Sequence, residues 1–86
     1  MSWNARTWVA SVLGCPVEDL SILAQGVGQV RYQDPSGTEV AWLVVAGPLR
    51  TLDDTTDARV EIMLRLPNGT FHRPDVVVLD TADIEF

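Results

Sequence analysis

The sequence has no lysine, one cysteine, one histidine and one tyrosine. Each shortage closes a route to chemistry. A lone cysteine forms no internal disulfide, no CxxC pair and no thiolate metal site. A lone histidine provides neither a histidine pair for a metal nor a relay. Without lysine there is no Schiff base and no phosphate-cradling ammonium. Long apolar runs are also missing. The longest, Val40 to Ala46, is far below the ~20 residues that span a bilayer. The N-terminus has no basic region followed by an apolar stretch, so no signal peptide is expected. Cys15 fits a reducing compartment, and the expected location is cytoplasmic.

What is present is carboxylate. Twelve Asp and Glu stand against six Arg, for a net charge of −6 over 86 residues. The charge is lopsided. Residues 1–33 are neutral, with Arg6 and Arg31 against Glu18 and Asp19, so residues 34–86 carry the whole excess. Such a field repels nucleic acid and anionic lipid, and speeds encounter with basic proteins. Solubility alone also accounts for a charge of this size. The length predicts one domain over residues 1–86. An apolar fraction of 47% is enough for a packed core.

Residues 2–14 read as a helix, since Ala5, Trp8, Val9, Val12 and Leu13 form one apolar stripe. Ser2 or Asn4 can cap it, and Gly14 ends it. Pro16 then suits the start of a second short helix, with Glu18 and Asp19 in its first turn and Leu20, Leu23 and Ala24 on its buried side. Gly26 would stop it. From Val27 the period becomes strand-like. Asp34-Pro35-Ser36-Gly37 predicts a turn. Residues 38–46, with seven consecutive apolar residues, predict a central strand buried on both faces, with Trp42 in the core. Residues 58–66 alternate, with Val60, Ile62, Leu64 and Leu66 inward. Pro67-Asn68-Gly69 predicts a hairpin turn. Phe71 follows on a strand that Pro74 marks as an edge and that resumes over Val76 to Leu79. Ile84 and Phe86 are expected to tuck against the core.

Val9 to Leu20 resembles the helix-turn-helix of bacterial repressors, in which an Ala and then a Leu-Gly pair precede the recognition helix. The resemblance implies a DNA-binding regulator. It covers about a quarter of the chain, and the recognition helix it implies would carry Glu18 and Asp19 but no donor for phosphate or guanine. Two short helices packed on a sheet are the simpler account.

Other constellations fail on spacing. Counted from Asp53, an EF-hand needs Gly at the sixth position and Glu at the twelfth, where the chain has Ala58 and Leu64. Ser11, Ser21 and Ser36 lack the Gly-x-Ser-x-Gly elbow. Gly26-Val27-Gly28 precedes a strand, where a dinucleotide fingerprint would precede a helix. Asn68-Gly69-Thr70 matches a glycosylation sequon, which the turn itself explains. His72 reads as a surface histidine. No catalytic residue, metal ligand or cofactor is assigned, and no enzyme activity is expected.

The expected fold is α+β: two short N-terminal helices on a four-stranded, mainly antiparallel sheet that can curl strongly. The expected function is a small acidic protein-binding module, an inhibitor that docks on a basic surface of a partner such as a nuclease or nucleic-acid-binding protein. Phage anti-CRISPR and immunity proteins are analogues by size and charge only. The expected contact residues are Asp53, Asp54, Asp57, Asp75, Asp80, Asp83, Glu85 and Trp3, with direct nucleic-acid and membrane binding excluded. The chain is expected to be a monomer or weak dimer. The alternative is a structural subunit of a homo-oligomer or virion, paired through the strand edge near Pro74.

Overall fold

The computed structural model describes residues 2–46 and 60–86. The architecture is α+β, with one helix and a five-stranded antiparallel sheet. A two-residue strand β1 (Trp3–Asn4) leads directly into the helix α1 (Ala5–Leu13). Asn4 caps the helix: its side-chain oxygen accepts the amide of Thr7 at 2.9 Å, satisfying one of the donors a helix start leaves free. The other end closes at Gly14, in the left-handed region at φ 73°. Its amide donates to the carbonyl of Ala10 at 2.8 Å. The helix is shorter than the expected 2–14, and of its predicted apolar stripe Ala5 and Val9 are buried while Trp8, Val12 and Leu13 are half-buried; Ala10, outside that stripe, is buried as well.

The expected second helix does not form. Val17–Asp19 makes a single 3-10 turn, and the chain then enters strand β2 (Ser21–Gly26). The spacing of Leu20, Leu23 and Ala24 suits a helix, but residues 21–26 pair with strand β3 (Gln29–Gln33) in an antiparallel ladder, with Leu23 at a bulge and Leu20 just before the strand. Propensity over so few residues is a weak preference that tertiary pairing overrides. Without that helix, the helix-turn-helix resemblance has no recognition helix to support it.

The sheet order is β2-β3-β4-β5-β6, with β4 (Glu39–Ala46), β5 (Glu61–Arg65) and β6 (Phe71–His72). It has five strands, not four, because β2 joins it. β4 is central, as its apolar run predicted. Its burial alternates, however: Ala41, Leu43 and Val45 are buried, while Trp42 and Val44 are only half-buried on the opposite face. Trp42 is therefore not in the core. Phe71 lies on an edge strand as expected. Val76 to Leu79 forms no strand. Both predicted turns are present. The Asp34 carboxylate accepts from Ser36 Oγ at 2.6 Å and from the amides of Ser36 and Thr38 at 3.0 Å. Asn68 caps the second turn by accepting the Thr70 amide at 3.0 Å.

The core lies between the helix and one face of the sheet. Val9 of α1 belongs to one buried cluster with Val30, Tyr32, Leu43, Ile62 and Leu64. Burying a Leu such as Leu43 or Leu64, both at 0% exposure, contributes ~1.5–3 kcal/mol relative to leaving it in water. Strand β7 (Ile84–Glu85) returns to pair in parallel with β1, Trp3 opposite Ile84 and Asn4 opposite Glu85. Ile84 is buried and Phe86 packs against the core. No helix among the described residues is long and apolar enough to cross a membrane.

Candidate functional site

Of the eight residues expected to make contacts, the β1–β7 pairing brings Trp3 and Glu85 onto neighbouring strands, and Asp83 lines one depression with Trp3. Trp3 is half-buried and stacks at a 45° tilt on Trp8, with ring centroids 5.8 Å apart. Beside it, Ser2, Val76, Val77, Val78, Leu79 and Asp83 line a shallow depression of about 390 Å³. Val77 and Leu79 are 59% and 62% exposed. Asp75 and Asp80 bracket this aliphatic segment, and Glu85 stands opposite Asn4 next to Trp3. Asp80 also accepts the amide of Ala82 at 3.0 Å, which fixes the 3-10 turn Thr81–Asp83. All four carboxylates are exposed. Residues 74–86 contain no basic side chain.

The result is an apolar centre with Asp83 on its lining and Asp75 and Asp80 flanking it in sequence, a mixture of apolar and charged groups that interfaces commonly show. Composition pointed to the acids and to Trp3 but not to the aliphatics between them. A run of Val-Val-Val-Leu reads as a buried strand, and here only Val78 is buried, its carbonyl accepting the amide of Val60 at 2.8 Å. Asp53, Asp54 and Asp57 lie outside the described residues.

The outer face of the sheet, away from α1, carries the opposite character. Register places Arg31, Trp42, Arg65 and Phe71 side by side on β3, β4, β5 and β6. The Arg31 guanidinium lies 4.9 Å from the Trp42 ring centroid and that of Arg65 5.8 Å from it. Trp42 Nε1–H donates to Gln29 Oε1 at 3.0 Å. Glu39 pairs with Arg31 at 3.5 Å and Glu61 with Arg73 at 3.7 Å. Both pairs are exposed, so each contributes at most ~1 kcal/mol. Three of the four arginines among the described residues therefore project from this face, in a protein that is acidic elsewhere. The alternation of β5 placed Arg65 outward, but the continuous apolar run of β4 hid Trp42 beside it.

Among the described residues no group of three or more His, Cys, Asp or Glu side chains is placed to hold a metal ion. His72 is half-buried on the edge strand, opposite Leu64. Comparison with known protein families, curated proteins and solved structures finds no match.

Proposed function

We propose that the chain is a protein-binding module that seats the surface around Trp3, Val77 and Leu79 on a basic patch of a partner protein. The observation that carries this reading is the aliphatic depression with its flanking acids. Exposed Val77 and Leu79 offer an area to desolvate, and Asp75, Asp80, Asp83 and Glu85 offer charges that select a cationic surround. Charge complementarity of this kind sets encounter rate and partner choice, while the apolar centre sets residence time.

A nuclease or nucleic-acid-binding protein has the basic surface these carboxylates suit, and an inhibitor that occupies such a surface is the concrete form of the proposal. The reading assigns no catalytic step to the chain. Asp53, Asp54 and Asp57 would add to the attraction by charge.

The test separates the two parts of the surface. A partner is captured, purified and titrated against variants. Asp75→Asn, Asp80→Asn and Asp83→Asn together should slow association and flatten its dependence on salt. Val77→Ala with Leu79→Ala should speed dissociation. A purified partner that binds both variant sets as tightly as the parent chain would sink the proposal.

A further inference from the structure

The sheet has two edges, and they differ. β6 is two residues long and is followed by Arg73 and Pro74. A short strand, a charge and a proline without an amide proton are the devices that keep an edge from pairing. β2 is six residues long, Ser-Ile-Leu-Ala-Gln-Gly, with no charge and no proline. Every residue of it is exposed. Leu20 to Val30 contains no charged side chain at all. Its one protective device is the bulge between Ile22 and Ala24, which twists the edge but removes no donor.

The apolar face also continues past the part that α1 covers. Ile22 stands opposite buried Tyr32, so it points to the core side of the sheet, yet it is 39% exposed. Leu23 beside it is 45% exposed. Among the described residues β2 thus presents a free row of backbone donors and acceptors together with an uncovered apolar ledge.

We infer that β2 pairs antiparallel with β2 of a second copy about a two-fold axis, joining the two five-stranded sheets into one. The placement of charge argues for a second copy over a foreign strand. Self-association of a −6 chain is opposed by like-charge repulsion, and this edge is where that opposition is least. With the axis between Leu23 and Ala24, Glu18 and Asp19 of one copy face Gly28 and Gln29 of the other, which are uncharged. Leu23 of each copy meets the neighbourhood of Leu23 in the other, and the two Ile22 side chains share one ledge. The nearest like charges follow from Thr81 and Ala82, which line one depression with Gly26, Val27 and Gly28. They bring Asp80 and Asp83 towards the incoming Asp19. Salt screens that repulsion, so the dimer tightens as salt rises. This surface is distinct from the acid-flanked depression, whose binding weakens with salt, so the two proposals stand or fall separately.

Analytical ultracentrifugation of the full chain across micromolar concentrations, at low and high salt, tests the inference. The expected result is a monomer–dimer equilibrium that shifts towards dimer with salt, with amides of Ile22 to Gly26 exchanging more slowly in the dimer. Leu23→Lys should weaken the dimer by about tenfold or more, because it sets like charges across the axis. Leu23→Glu should do the same, and an equimolar mixture of the two should restore association as a heterodimer. The mixture keeps the test decisive even if one variant is less stable. Phe71→Lys, on the other edge, should leave the dimer unchanged. A monomer under all conditions, a dimer indifferent to both charges at position 23, or a dimer with β2 amides unprotected would overturn the inference.

Discussion

The carbonyl of Gly28 accepts the amide of Val45 at 2.8 Å, and a Cβ placed on Gly28 would stand 2.8 Å from the Val45 carbonyl oxygen. The turn between β2 and β3 is thus pressed against the far end of β4. Gly28 also sits at φ 71°, where side chains are strained. Gly28→Ala combines backbone strain with a clash against backbone that cannot swing away. The expected loss is about 2–4 kcal/mol, read as a lower midpoint in denaturant. Gly69→Ala, at φ 86° but with nothing within 4 Å of its Cβ position, should cost less. Equal losses at the two sites would show that the clash contributes nothing.

Tyr32 is the only tyrosine in the chain, so phenolate absorbance reports on it alone. Its hydroxyl donates to the main-chain oxygen of Phe86 at 3.2 Å. Burial pushes its pKa up from 10.0 to about 12, against the pull of the Arg6 guanidinium. The folded state therefore favours the neutral phenol more than the unfolded state does. That contribution to stability is complete below pH ~10 and is lost as pH rises towards ~12. Native protein should show phenolate absorbance only near the upper value, and urea-unfolded protein near the lower. Coincident titration curves would contradict the burial of this side chain. Tyr32→Phe should remove the dependence and lower stability by about 1 kcal/mol.

The Arg31–Trp42–Arg65 row predicts a modest, specific coupling. Each guanidinium over the half-buried indole contributes ~0.5–1 kcal/mol. Arg65→Gln should lower stability by about that amount in the parent chain and by much less when Trp42 is already Leu. A double-mutant cycle measures the difference, and a coupling of zero would reduce the row to adjacency without attraction.

Much of the fold could be read from the chain because its signals were local. The alternation of Val60, Ile62 and Leu64 reports one buried face directly. The turns at Asp34 and Asn68 depend on side chains that bond to backbone within two or four residues. The error at residues 16–26 arose where local signals compete. Leu20, Leu23 and Ala24 fit a helical period, and the hairpin pairing of β2 with β3 decides otherwise. The Val27-Gly28 connection lacks the Asn-Gly signature that marks the other hairpin, so it gave no warning. At the candidate site, charge could be read from composition but exposure could not. Whether Val76 to Leu79 is covered depends on what packs beside it, and β1 and β7 meet there only in the folded chain. The Arg31–Trp42–Arg65 row depends in the same way on register across three strands.

The pairing of β1 with β7 bears on the order in which the molecule assembles. The strands of the antiparallel sheet each meet a sequence neighbour, whereas β1 and β7 lie at opposite ends of the described chain. Closing the longer loop costs more chain entropy, so the meander condenses first and the Trp3–Ile84 strap closes late. With two residues on each strand, the strap is also the first element to fray. The surface around Trp3 and Leu79 rests on it. A bound partner would hold that strap shut, and since α1 begins immediately after Asn4, the hold would pass into the helix as slower hydrogen exchange along its first turns.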